Sequence, residues 1–88
     1  MERIRIDLVR LKTEDDALKR FGRLKGMPAD YNSELEELHD ILQAWDKPLK
    51  IEIVIGGNIG PFTKLMEMLE DVRTTNNNLL FVVIMYMA

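Results

Sequence analysis

The sequence predicts a small α/β domain built on a three-stranded parallel sheet, with elements in the order strand, helix, helix, strand, helix, strand. Three observations carry that expectation. First, "RIRIDL" at 3–8 alternates charged and apolar residues with the period of a strand buried on one face. Second, "KIEIVI" at 50–55, rich in β-branched residues, and the apolar run "LLFVVIM" at 79–85 are short segments bounded by turn residues. Third, stretches with helical period separate these runs. Strands joined by crossovers of that length are parallel, and the connections are right-handed. At 88 residues with a 47% apolar fraction, the chain suits one domain, 1–88, with a modest core.

Each helix carries its own start and stop signals. Thr13 is placed to cap the first helix, Glu14, Asp15 and Asp16 fill its first turn, and basic residues gather toward its end. Ala17, Leu18, Phe21 and Leu24 form its apolar stripe, and Gly26 suits a left-handed stop. The second helix is expected over about 34–45, opened by a capping box of Ser33 and Glu36. Its buried face is Leu35, Leu38, Ile41, Leu42 and Trp45. "GGNIGPF" turns the chain into a third helix spaced by Phe62, Leu65, Leu69 and Val72, which ends in "TTNNN". The first strand reads as an edge. The last, apolar on both faces, reads as the most buried and as covered on both sides.

Composition removes several function classes. With no cysteine there is no disulfide framework and no thiol chemistry, which suits a reducing compartment. Charges at positions 2, 3, 5, 7 and 10 break any signal-peptide core. The longest apolar run, 79–87, is nine residues, about half of what a bilayer requires. A cytoplasmic protein that does not engage membranes is expected. A net charge of −3 with no basic stripe argues against nucleic acid as a ligand.

The charge is unevenly placed. Residues 1–25 carry eight bases and five acids, and residues 47–88 carry four of each. "GMPADYNSELEELHDILQAWD", at 26–46, carries six acids and no lysine or arginine. Glu34, Glu36 and Glu37 oppose the positive end of their helix dipole, and Asp30 and Asp46 fall in loops. Asp40 has no such local reason. It lies two turns in, three residues from Glu37 and four from Glu36, and each like-charge pair costs about 0.2–0.5 kcal/mol. An outward acid face on a helix is commonly only a solvated surface. The sharper reading is a docking face for a basic partner.

Other motifs have plainer explanations. "GGNIG" matches neither the dinucleotide nor the Walker spacing, so a tight turn accounts for it. Glu36 and His39 form one E-x-x-H unit, whereas di-iron bundles need two such units and further glutamates. His39 is then a surface or interface residue. Ser33 has nothing to mark it as a nucleophile. Met66, Met68 and the methionines near the C-terminus read as core filler, and the asparagines at 76–78 as a helix stop and turn. Neither catalysis, cofactor nor metal is expected.

Taken in order, Pro28, Tyr31, Leu35, Glu36, His39, Asp40, Trp45, Pro48 and Leu49 resemble the inhibitory region of the barstar family, intracellular ribonuclease inhibitors. The strand and helix order agrees over almost the whole chain. The resemblance implies that the acidic helix and preceding loop plug a nuclease active site, with Asp40 in the pocket for the substrate phosphate. It implies further pairs from Glu36 and from Asp71 on the later helix. Tyr31 and Leu35 would pack on the nuclease, and Trp45 would support the helix. Asp30, Glu34 and His39 depart from the family's usual aromatic, asparagine and tryptophan, and 56–61 is too short for the family's extra helix. With Gln43 on the helix shoulder, the expected contact set is Asp30, Tyr31, Glu34, Leu35, Glu36, His39, Asp40, Gln43, Trp45 and Asp71. The expected function is one-to-one inhibition of a basic ribonuclease by a protein that is monomeric when free. The alternative is an acidic interaction domain, or nucleic-acid mimic, for another basic partner.

Overall fold

A computed structural model describes residues 1–86; Met87, counted above among the core-filling methionines, lies outside the described residues. The elements are β1 (Glu2–Asp7), α1 (Glu14–Phe21), α2 (Leu35–Gln43), β2 (Leu49–Ile55), α3 (Thr63–Thr75) and β3 (Leu79–Met85). A single 3₁₀ turn at Gly60–Phe62 leads into α3. The sheet order is β1-β2-β3, and both pairings are parallel. Both crossovers therefore step the same way across the sheet. With the right-handed connection usual for such units, that brings every helix onto one face.

The core shows this arrangement directly. Ile6, Leu8, Leu49, Ile51, Ile53 and Leu79 from one face of the sheet join a single cluster with buried residues of all three helices. The cross-strand rows of the opposite face are Arg3–Lys50–Leu80, Arg5–Glu52–Val82 and Asp7–Val54–Ile84. None of these residues belongs to the cluster. The domain thus has two layers, and one side of its sheet carries no helix.

That outcome corrects the expectation for β3. It is an edge strand, with Leu80 49%, Val83 44% and Met85 62% exposed. The strand buried most evenly is the central one, β2. An apolar run is equally compatible with a covered strand and with an apolar edge, and pairing order is a long-range property that periodicity does not carry. Met68 is buried and Met66 packs partly against the core, whereas Met85 points to solvent and fills nothing. The edge position of β1 agrees with its alternating pattern.

The helix boundaries follow local chemistry, with two corrections. Thr13 caps α1 as expected, its Oγ1 accepting from the Asp16 N–H at 3.1 Å. The helix ends at Phe21, short of Gly26, because 22–25 continue as turns. Gly26 does take a left-handed conformation, φ 99°, beside the Trp45 ring. At α2 the expected capping box does not form. Ser33 has φ 60°, and Glu34 takes the N-cap position without a side-chain bond. Glu37, in the first turn, accepts from the Asn32 N–H at 2.8 Å instead.

Candidate partner-binding face

The far end of α2 is held by a residue that the sequence pattern hides. Helix C-termini leave carbonyls without intrahelical donors. Asn76, just beyond α3 and buried, donates through Nδ2 to the carbonyls of Leu42 at 2.8 Å and Trp45 at 2.9 Å, and more weakly to Gln43 at 3.3 Å. Asn78 adds a bond to the Trp45 carbonyl. The asparagine run does more than stop a helix: it ties the end of α2 to the end of α3. In sequence it looks like any turn.

Two side-chain bonds extend the tie along the helices. Gln43 Nε2 reaches Thr75 Oγ1 at 3.4 Å. His39 Nε2 lies 2.8 Å from Asp71 Oδ2, and His39 Nδ1 lies 3.5 Å from Asp40 Oδ1. The hydrogen bond to Asp71 holds the His39 imidazolium above the ordinary histidine range, partial burial opposes it, and Asp40 reinforces it. His39 thus sits between two aspartates from different helices.

Around this bridge the expected residues gather. Leu35, Glu36, His39 and Asp40, with Met68 beneath, line a shallow cavity of about 360 Å³. Asp71 stands at its side through His39. Asp40 is 84% exposed. Among the described residues, no lysine or arginine forms an ion pair with Asp30, Glu34, Glu36, Glu37, Asp40, Asp46 or Asp71. The face therefore offers exposed carboxylates with unsatisfied acceptor capacity beside a small apolar floor. Such a surface suits guanidinium or ammonium groups. Also among the described residues, no three donor side chains are grouped as metal ligands.

Other members of the expected set fall outside this cluster. Tyr31 is half-buried and turns its hydroxyl inward, donating to the Leu18 carbonyl at 2.6 Å. Burial, then the nearby Glu37 charge, pushes its pKa up to about 12. Its evident task is to hold the loop against α1. Trp45, past the end of α2, borders a separate cavity with Lys25, Pro28 and Lys47. Asp30 and Glu34 are exposed in and after the loop. Met68, Thr75 and Asn76 are the residues that sequence reasoning left out. No helix is long and apolar enough to cross a membrane among the described residues. Comparison with protein-family models finds no match, and comparison with curated proteins finds none either.

Proposed function

We propose that this chain is a barstar-like inhibitor that blocks the active site of a basic ribonuclease with α2 and the loop before it. One observation carries the reading: Asp40 is exposed on α2, flanked by Glu36 and by Asp71 of α3, and among the described residues no lysine or arginine pairs with any of them. A nuclease cleft that binds phosphate presents arginines and a histidine to its substrate. Asp40 would take the phosphate's place there, with Glu36 and Asp71 pairing to either side. Leu35 and the apolar floor would exclude water from these pairs. Tyr31, engaged with α1, shapes the loop, and Trp45 and Asn76 support the helix from behind. The inhibitor itself performs no chemistry in this scheme.

The departures at Asp30, Glu34 and His39 change what surrounds Asp40 and point to a target with its own cationic pattern. The test is a titration of the purified protein against a barnase-type ribonuclease, following RNA cleavage, with Asp40→Ala run in parallel. Stoichiometric inhibition that the variant loses is the expected result. Absence of inhibition overturns this target and moves the acidic face to a different basic protein.

A further inference from the structure

The side of the sheet opposite the helices carries a second constellation, independent of the acidic face. All-parallel sheets are almost always covered on both faces, because β-α-β crossovers supply helices to each. Here both crossovers fall on one side, and the other side is bare. Its composition is sharply divided. On β1 and β2, Arg3, Arg5 and Lys50 surround Glu52, whose Oε1 lies 3.6 Å from Arg3 Nε and 3.5 Å from Arg5 Nε. Lys50 Nζ lies 3.8 Å from Oε2. On β3 these rows end in Leu80 and Val82; the third row, Asp7–Val54–Ile84, carries one acid, Asp7, whose Oδ2 lies 3.5 Å from Arg10 Nε.

Glu52 is only 6% exposed, although no helix covers it. The cationic side chains lie over it, and its Oε1 makes no hydrogen bond. One buried carboxylate thus gathers three cations that would otherwise repel one another, leaving two positive charges in excess. Both arginines meet Glu52 through Nε and remain mostly exposed, so their terminal nitrogens are available to a second carboxylate.

We propose that the open face of the sheet is a docking surface for an acidic segment of another protein, whose carboxylates pair with Arg3, Arg5 and Lys50 while its apolar side chains cover Leu80, Val82 and Ile84. Charge complementarity selects this occupant. A second copy stacked face to face would bring two net-positive clusters together or lay guanidinium groups on the aliphatic strip. Single-stranded nucleic acid requires a succession of stacking platforms; these three rows carry no aromatic ring, and Tyr86, just past β3, is a single exposed one.

The test is a heteronuclear NMR titration of the whole protein with a short synthetic peptide alternating glutamate and leucine. A lysine–leucine peptide, anionic and neutral vesicles, and simple dilution serve as the other arms. Shifts confined to Arg3, Arg5, Lys50, Glu52 and Leu80–Ile84, seen only with the glutamate peptide, are the expected result. Arg3→Gln with Arg5→Gln should weaken that binding at least about tenfold, equivalent to about 1.4 kcal/mol. Leu80→Asn, which leaves every charge in place, should weaken it too. Shifts on α2, equal response to the lysine peptide, or indifference to both variants overturns the proposal. Equal response to anionic vesicles overturns it in favour of a membrane surface, and the same shifts on concentrating the protein alone overturn it in favour of a second copy.

Discussion

His39 of α2 and Asp71 of α3 meet at 2.8 Å, and this contact joins the two helices that carry the acidic face. The same imidazole approaches Asp40 through its other nitrogen. One side chain therefore aligns two carboxylates from separate elements, and it does so best when protonated, because only the imidazolium donates from both nitrogens.

Stability should follow that protonation. The folded-state pKa of His39 is raised, so its contribution is fully present below the unfolded value of about 6.5 and is lost as pH rises through the folded value. Urea melts of wild type and His39→Gln should differ more at pH 5.5 than at pH 8.5. A difference that is constant over this range would show that the bridge does not depend on the proton.

Asn76 gives a sharper stability test. Its amide serves carbonyls at the end of α2, and truncation leaves the Leu42 carbonyl with only the Trp45 N–H at 3.2 Å and the Trp45 carbonyl with only Asn78 at 3.1 Å. Asn76→Ala should cost about 1–3 kcal/mol in denaturant melts, whereas exposed Asn77→Ala should stay within about 0.5 kcal/mol. Equal effects at the two positions would mean that the cap contributes little.

These residues also mark where sequence reasoning succeeds and where it stops. Element order, parallel pairing and the Thr13 cap follow from periodicity and short-range chemistry, and all are found. The exposed position of Asp40 follows from the same helical geometry. What remained hidden is non-local. Asn76 meets carbonyls more than thirty positions away, and nothing in "TTNNN" distinguishes a tie from a turn. Strand order depends on which edges meet, so the apolar pattern of β3 suggested a covered strand where an edge exists. At the start of α2, Ser33 fits a capping box by spacing, but its left-handed backbone leaves Glu37 to bond the Asn32 N–H instead.

Gly26 tests the loop that precedes α2. Its φ of 99° lies where a side chain is strained, and a new Cβ would stand 3.6 Å from the Trp45 ring. The space is adequate, so the cost is conformational. Gly26→Ala should destabilise by about 1–2 kcal/mol, while Gly57→Ala, with nothing near its Cβ, should be neutral. Thermal melts of the two variants separate backbone strain from a general intolerance of substitution in loops.

Asp40 and Glu37 are neighbours on one helix with opposite expected roles. Glu37 bonds the Asn32 N–H, so Glu37→Ala should cost about 0.5–1.5 kcal/mol of stability and little affinity for a basic partner. Asp40 bonds no backbone and suffers repulsion from Glu36 and Glu37, so Asp40→Ala should leave stability within about 0.5 kcal/mol. Its affinity loss should be about 2 kcal/mol or more, the range of charged interface hot spots, for which barnase with barstar is itself a reference case. Calorimetric binding and denaturant melts on both variants give the two quantities side by side. If the two variants lose affinity equally, attraction spread over the whole acidic helix, with no specific place for Asp40, accounts for binding.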